Sequence, residues 1–186
     1  METLFFISSN NSKFQEAQQI ASSDLTLIQE DVELIEIKSL NQEKVLLSKA
    51  RQAFEKLKKP VIVDDTAIYF EQYKDFPGTF TKFLFKAIGF EGVEKLLENK
   101  NRSAFFKTMI CYKDANIEKV FSGIWKGKII EEVSKKFNPD WQYNSIFVPE
   151  DCDNVLSEIP LEERARKSHR RKAFNELLNW VKGGKK

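Results

Sequence analysis

Short apolar runs alternate with amphipathic segments in the first third of the chain. Residues 4–7 form an apolar run that stops at a row of polar residues. Apolar residues at helical spacing follow over residues 13–21, with Ser12 as the predicted N-cap. Residues 25–29 and 33–37 are two further strand-like runs. The chain is therefore predicted to begin with a strand, a polar loop and a helix, and the loop lies where helix N–H groups bind anions.

A long amphipathic helix and a β-branched strand come next. Residues 41–58 place their apolar side chains on one helical stripe, and Pro60 lies just beyond the basic end of that helix. Residues 61–63 form a strand that runs directly into Asp64 and Asp65. This alternation predicts an α/β fold with a central mixed sheet and flanking helices.

The second half is predicted to be an antiparallel section closed by a helix. Gly89 divides one helical region into two pieces, and no repeat or linker interrupts the chain, so residues 1–186 are predicted to form one domain. The predicted helices cover residues 81–88, 91–97 and 168–181, and the predicted strands cover 104–112, 119–125, 129–133 and 146–148, with a break at Asn138 and Pro139.

Composition excludes several classes of protein. Lys and Arg number 30 and Asp and Glu number 28, and this net charge of +2 argues against a nucleic-acid partner. The only histidine, His169, excludes a zinc site built on several histidines. Two cysteines, Cys111 and Cys152, rule out a disulfide framework and indicate a reducing, cytoplasmic location. No apolar run is long enough to span a membrane, and the N-terminus lacks the basic start of a signal peptide.

Two polar clusters interrupt apolar elements where packing does not require them. Ser8 to Lys13 is a loop of small residues with a lysine at a helix start, which either cradles phosphate oxygens or simply caps the helix. Asp64, Asp65 and Thr66 follow an apolar strand. Adjacent carboxylates repel each other unless a cation binds to them and balances their charge. Carboxylate oxygens are ligands that Mg²⁺ prefers. An exposed acidic turn is the alternative for this cluster.

Two more clusters lie in the second half. Trp141 and Tyr143 form either a stacking platform for a base or a buried aromatic corner. Ser168, His169 and Arg170 indicate either a donor-rich site for an anion or a base edge, or a solvated basic face. No nucleophile has a base beside it. The four clusters together therefore predict a nucleotide site that uses metal-assisted attack by water.

These residues resemble the motifs of the inosine triphosphate pyrophosphatase (Ham1-type) family. The matches come in the family's order and spacing and cover nearly the whole chain. The family's opening motif corresponds to residues 8–16 (SSNNSKFQE), and its central acidic motif to residues 63–66 (VDDT). The proline–glycine turn corresponds to residues 76–80 (FPGTF). The aromatic loop corresponds to residues 141–147 (WQYNSIF), and the late motif to residues 168–170 (SHR).

The resemblance implies both a fold and a reaction. The implied fold is an elongated mixed sheet with two lobes around a central cleft. The implied reaction is Mg²⁺-dependent hydrolysis of deaminated purine nucleoside triphosphates (ITP, dITP and XTP) to the monophosphate and pyrophosphate, which cleans the nucleotide pool. The implied assembly is a homodimer.

The resemblance also implies roles at the phosphate end of the cleft. Lys13 is expected to hold the triphosphate, and Glu36 and Asp65 are expected to bind Mg²⁺. Asp65 is expected to bind the metal or orient the attacking water, and Asp64 and Lys13 are expected to assist in catalysis. The other expected contacts with the phosphates are Ser8, Ser9, Asn10, Lys49 and Thr66.

At the base end, Trp141 and Tyr143 are expected to stack on the purine. The late motif is expected to read its 6-oxo edge, which accepts hydrogen bonds where adenine donates them, so a donor-rich site rejects ATP. The residues expected to line this base pocket are Asn144, Arg164, Ser168, His169 and Arg170.

Four residues depart from the family pattern: Ser9 replaces glycine, Asn144 aspartate, Ser145 proline and Arg164 lysine. Since Asn144 and Arg164 fall near the expected base pocket, altered purine discrimination with retained phosphate chemistry is one hypothesis. A second is a non-catalytic nucleotide-binding protein, suggested by Ser9 and Asn144. A third is an RNA-binding module that uses the basic run over residues 164–172, against which the low net charge counts.

Overall fold

The structure is a computed structural model and describes residues 2–21, 25–138 and 141–185. Within these ranges it contains seven strands, five α-helices and one 3₁₀-helix (Gln142–Ser145). The strands are β1 (Glu2–Ile7), β2 (Leu25–Glu30), β3 (Val61–Phe70), β4 (Pro77–Gly78), β5 (Ser103–Lys113), β6 (Glu118–Ile129) and β7 (Phe147–Pro149). The helices are α1 (Asn11–Ile20), α2 (Gln42–Leu57), α3 (Thr81–Leu97), α4 (Leu161–Lys167) and α5 (His169–Lys182).

The strands form one mixed sheet in the order β2–β1–β3–β5–β6–β7, with β4 beside β3. β1 pairs in parallel with β2 and β3, whereas β3, β5, β6 and β7 pair antiparallel. The predicted mixed α/β fold is confirmed. Because Ile7 pairs with Val63, the polar loop that follows β1 lies beside Asp64.

Helices cover both faces of the β1–β3–β5 part of the sheet. Strand side chains alternate between faces, and β3 shows the consequence. Ile62 packs in a cluster with α1 and α5, whereas Val61 and Val63 pack in a cluster with α2. Both clusters bury the stripes predicted for these helices. The first residues of β3 are therefore apolar on both faces, as for a strand covered on both sides.

A third apolar cluster lies at the other end of the long strands, where Ile68 and Phe70 of β3 meet Val93 and Leu97 of α3. Gly89 interrupts α3 with a φ of 60°, a value that favours glycine, so the predicted division of this helix is confirmed. Neither α3 nor any other helix of the described residues is long and apolar enough to cross a membrane.

Three local predictions were wrong. Residues 33–37 form no strand, because side chains of α2 rather than a neighbouring strand bind their backbone. Asn10 rather than Ser12 caps α1, since its side chain accepts from the N–H of Lys13. β6 ends at Ile129, so residues 130–133 lie outside it. The predicted break at Pro139 lies outside the described residues.

Candidate active site

A cleft of about 550 Å³ lies where β1, β3 and α2 meet the aromatic loop over residues 141–144. It brings together three of the four polar clusters. The predicted site residues on its wall are Ser8, Ser9, Asn10, Lys13, Glu36, Lys49, Asp64, Asp65, Thr66, Trp141, Tyr143 and Asn144. Arg164, Ser168, His169 and Arg170 are not among its lining residues.

The loop after β1 presents a capped helix N-terminus to this cleft. Ser8 Oγ accepts from the backbone N–H of Asn10 over 3.1 Å, and Asn10 Oδ1 accepts from that of Lys13 over 3.0 Å. Lys13 Nζ donates to Asp64 Oδ1 over 2.8 Å. The loop therefore combines helix-terminal N–H groups with a fixed ammonium group, which is the chemistry that binds phosphate.

Asp64 and Asp65 lie inside β3, not at its end as predicted, because the strand continues to Phe70. They are buried, with 3% and 9% of their surfaces exposed, so an exposed acidic turn is excluded. Their side chains lie on opposite faces of the sheet and have different partners: Asp64 contacts Lys13, and Asp65 contacts Lys49. The expected repulsion between adjacent carboxylates is thus avoided by strand geometry.

On the α2 side, Lys49 joins the two carboxylates that the resemblance assigns to a metal. Its Nζ lies 3.3 Å from Asp65 Oδ1 and 3.6 Å from Glu36 Oε2. Burial disfavours the charged form of Lys49, but the carboxylates of Asp65 and Glu36 outweigh it and raise its pKa. Glu36 and Asp65 therefore converge on one cation, although segment 31–39, which carries Glu36, has no regular structure.

This donor set fits Mg²⁺ that arrives with a nucleotide. Magnesium in proteins is typically bound by one or two carboxylates, with substrate phosphates and water completing an octahedron. Glu36 and Asp65 supply two carboxylates beside the phosphate-binding loop. Across the described ranges, no group of three or more His, Cys, Asp or Glu side chains could hold a metal ion. The protein thus offers part of a coordination sphere that phosphate oxygens would complete.

On the other face, Arg170 joins Asp64 to α1. Its Nε donates to Asp64 Oδ2 over 2.8 Å, its Nη1 pairs with Glu16, and its Nη2 donates to Thr66 Oγ1 over 3.1 Å. Ser168 Oγ donates to Glu16 Oε1 over 2.9 Å. Burial disfavours the charged form of Asp64, but Lys13 and Arg170 outweigh it and hold its pKa well below the usual range.

The late motif therefore lies behind the cleft wall. Arg170 has no exposed surface, and its Nε, Nη1 and Nη2 atoms all bind groups of the protein, so its guanidinium does not line the cleft as the reading of a 6-oxo edge would require. A solvated basic face is also excluded for Ser168, His169 and Arg170, which are all buried. The structure gives Arg170 and Ser168 the role of holding α5 against α1.

His169 is part of the same buried layer. Its Nδ1 lies 2.7 Å from Thr108 Oγ1, which lies 2.7 Å from Thr66 Oγ1, and its ring stacks on Phe106. Burial, assisted by the positive charge of Arg170, lowers the pKa of His169 well below 6.5. The imidazole is therefore neutral near pH 7. It connects to two residues of the cleft wall, to Phe106 directly and to Thr66 by way of Thr108.

The two aromatic residues do not form the expected pair of stacking faces. Tyr143 is 2% exposed and packs edge-on against Phe70 and Phe85, and its hydroxyl has no hydrogen-bond partner among the described residues. Burial raises its pKa. Trp141 is half-buried, and the guanidinium carbon of Arg170 lies 5.4 Å from its ring centroid. Trp141 is thus the more exposed of these two rings, while Tyr143 is a buried aromatic corner.

Arg164 occupies a partly buried position and is not among the residues that line the cleft. Burial lowers its pKa, while Glu16 partly offsets that effect. Its Nε has no hydrogen-bond partner in the described part of the chain. The structure does not place it in contact with the expected base pocket.

Comparison with known proteins agrees with these motifs. Residues 4–180 match the model of the Ham1 family. The chain belongs to the Ham1 family. The resemblance inferred from the motifs is therefore confirmed.

Two relatives and one solved structure align with this chain along nearly their whole length. The dITP/XTP pyrophosphatase of Saccharolobus solfataricus is 36% identical over 177 residues, which are 94% of this chain and 91% of that protein. The inosine triphosphate pyrophosphatase of Saccharomyces cerevisiae is 31% identical over 190 residues, covering 96% and 95% of the two chains. The Ham1 protein of Staphylococcus aureus has the same fold, with a TM-score of 0.83 and 24% identity over 98% of this chain and all of that one.

In this Ham1 chain, sequence reasoning assigned no role to Glu16, Gln42 or Thr108. Gln42 is 4% exposed and donates from Nε2 to Asp65 Oδ2 over 3.1 Å, while its Oε1 accepts from the hydroxyl of Tyr69 over 3.1 Å. Glu16 and Gln42 each lie on the buried face of an amphipathic helix. A polar residue on an apolar stripe is the signal that could have identified both.

Proposed function

We propose that this protein hydrolyses the deaminated purine nucleoside triphosphates ITP, dITP and XTP to the nucleoside monophosphate and pyrophosphate, with Mg²⁺ as cofactor. The names of its relatives, dITP/XTP and inosine triphosphate pyrophosphatases, support the substrate class. The observation that carries the proposal is the convergence of Lys13, Glu36, Lys49 and Asp65 in one cleft beside a capped helix N-terminus.

The phosphates would lie along the loop after β1. The helix-terminal N–H groups near Asn10 and the ammonium groups of Lys13 and Lys49 balance the negative charge of a triphosphate. Asp64 keeps Lys13 in place through the 2.8 Å ion pair. Because Lys13 and Arg170 stabilise its charged form, Asp64 is a weak base, which favours a positioning role over proton abstraction.

Asp65 and Glu36 would hold the metal ion, which supplies charge stabilisation at the phosphate oxygens when bound. Asp65 Oδ2 accepts from Gln42, which leaves Oδ1 directed towards Lys49 and the cation site. This fixed orientation allows Asp65 to direct a water molecule towards the phosphorus atom. The products are a nucleoside monophosphate and pyrophosphate, with the water oxygen retained in one of them.

The base would stack on the exposed part of the Trp141 ring, near Asn144, which also lines the cleft. The amide of Asn144 can both donate and accept hydrogen bonds, unlike the aspartate of the family pattern. This supports purine discrimination that differs from that of typical relatives, with phosphate and metal contacts retained.

Pyrophosphate release tests this function directly. The protein should release pyrophosphate from ITP, dITP or XTP in the presence of Mg²⁺ and stop when EDTA is added, with ATP the poorest substrate. Asp65→Asn should abolish turnover, while Glu43→Gln makes the same carboxylate-to-amide change on the exposed face of α2 and serves as the matched control. Absence of pyrophosphate release from every triphosphate, with nucleotide binding retained, would instead support the non-catalytic alternative.

A further inference from the structure

Lys49 occupies the place between the two carboxylates that are proposed to hold the metal. Its Nζ lies within 3.3 Å of Asp65 Oδ1 and 3.6 Å of Glu36 Oε2, and its side chain is 16% exposed. The ammonium group is thus the cation that balances these two carboxylates. A divalent cation bound to the same oxygens would compete with it directly.

The surrounding contacts hold this arrangement together. Gln42 engages Asp65 Oδ2, so Oδ1 faces Lys49. Gln52 exchanges two hydrogen bonds with the backbone of Ile35, next to Glu36, over 2.9 and 2.8 Å. Gln42, Lys49 and Gln52 all lie on α2, which therefore fixes Lys49 relative to both carboxylates.

We propose that the Lys49 ammonium is a placeholder cation, which the divalent metal replaces when a polyphosphate binds. This inference rests on the proposed function. A triphosphate in the cleft offers Lys49 new negative oxygens close to its present position. The exchange then costs little, because each carboxylate keeps a positive partner throughout. Without nucleotide, a divalent metal would displace the Lys49 ammonium from the two carboxylates, and Lys49 would gain no new negative oxygen to bind.

The exchange couples metal binding to nucleotide binding. The free protein binds a divalent cation weakly, and nucleotide raises its affinity both by supplying phosphate ligands and by releasing Lys49. Such coupling is reciprocal, so metal strengthens nucleotide binding by the same factor. The two carboxylates would therefore hold a divalent cation most tightly when a triphosphate occupies the cleft.

Mn²⁺ titration calorimetry of the full chain without nucleotide tests this exchange. Lys49→Met removes the competing ammonium group, so it should bind Mn²⁺ about tenfold more tightly than the wild type, a change typical of site–site coupling. Lys49→Arg keeps the charge and should gain nothing. Lys44→Met removes the same charge from an exposed position of α2 and controls for the effect of the protein's net charge on Mn²⁺ binding. Lys49→Gln provides a second neutral variant if Lys49→Met fails to fold.

A second titration in the presence of a non-hydrolysable ITP analogue completes the test. Nucleotide should increase Mn²⁺ affinity more in the wild type than in Lys49→Met. Equal or weaker Mn²⁺ binding by both neutral variants, with binding lost in Glu36→Gln and Asp65→Asn, would overturn the exchange but leave the metal site intact. Mn²⁺ binding that is unchanged in Glu36→Gln and Asp65→Asn would overturn the metal site itself, and the exchange with it.

Discussion

Arg170 Nε donates to Asp64 Oδ2 over 2.8 Å, and neither side chain is accessible to solvent beyond 1% of its surface. The two residues lie 106 positions apart in the chain. Arg170 also pairs with Glu16, so one guanidinium group joins α5, β3 and α1 behind the phosphate loop. Lys13, which faces the cleft, is held by the second oxygen of Asp64. This buried charge network fixes the position of the phosphate-binding lysine.

Replacing Arg170 should strongly destabilise the protein. Arg170→Met would leave Asp64 and Glu16 buried with their charges only partly balanced, which costs about 3–5 kcal/mol in the free energy of unfolding. Urea unfolding followed by circular dichroism measures this. Arg166→Met, an exposed position on α4, should change stability by no more than about 0.5 kcal/mol. Similar stability of the two variants would contradict the role of the network.

Replacing Gln42 should raise the Mg²⁺ concentration that the enzyme needs, rather than weaken nucleotide binding. Gln42→Met keeps the size of the side chain but removes the hydrogen bond to Asp65 Oδ2, so Asp65 becomes free to rotate away from the cation site. Loss of an outer partner of a metal ligand typically costs about 10-fold or more in metal affinity. The Mg²⁺ concentration at half-maximal turnover should therefore rise by about that factor.

Tyr69→Phe is the matched control for Gln42. It removes only the hydroxyl that donates to Gln42 Oε1 and leaves the Gln42–Asp65 contact intact. Its Mg²⁺ requirement should change less than that of Gln42→Met. An unchanged Mg²⁺ requirement in Gln42→Met, with a raised KM for nucleotide, would show that Gln42 acts on substrate binding instead.

The single histidine should make stability depend on pH. Burial lowers the pKa of His169 in the folded protein, so below pH 6.5 the unfolded chain takes up a proton that the native state excludes. The contribution of His169 is fully present above pH 6.5 and is lost as pH falls towards the folded pKa. The unfolding free energy should drop by up to about 1.4 kcal/mol per pH unit in this range.

Measurements between pH 7.5 and about 5.5 isolate this effect, because ordinary carboxylates titrate lower. His169→Asn keeps a polar group near Thr108 but cannot take up the proton. Its unfolding free energy should therefore vary less with pH than that of the wild type. Equal pH slopes for the two proteins would rule out His169 as the cause.

Asn144 should influence which purine is preferred. An amide can donate to the 2-oxo group of XTP, whereas a carboxylate only accepts hydrogen bonds and favours the 2-amino group of GTP. Asn144→Asp should therefore lower kcat/KM for XTP relative to GTP several-fold, with the Mg²⁺ requirement unchanged. Gln142→Glu adds the same charge at a neighbouring position of the cleft wall and serves as control. An equal change in both variants would indicate a general charge effect.

Local patterns in the sequence were sufficient for the elements whose cause is local. The stripe of α2, the polar loop before α1 and the division of α3 at Gly89 depend on side-chain periodicity, helix-terminal N–H groups and a positive φ, all of which act over a few residues. The capping residue of that loop is nevertheless Asn10 and not the predicted Ser12. Residues 33–37 have a strand-like composition but do not pair with a strand of the described residues. The sequence could not show this, because strand pairing depends on the whole sheet.

The sequence by itself determined the class of fold, the family and most of the residues that line the cleft, because these follow from periodicity and from motifs in a fixed order. Tertiary structure alone decided which charges meet. It pairs Asp64 with Arg170 and Asp65 with Lys49, and it buries Ser168, His169 and Arg170 so that they do not line the cleft. The physical reason is that burial and ion pairing depend on which face of a strand or helix is covered. Segments that are distant in the sequence cover that face when they pack together.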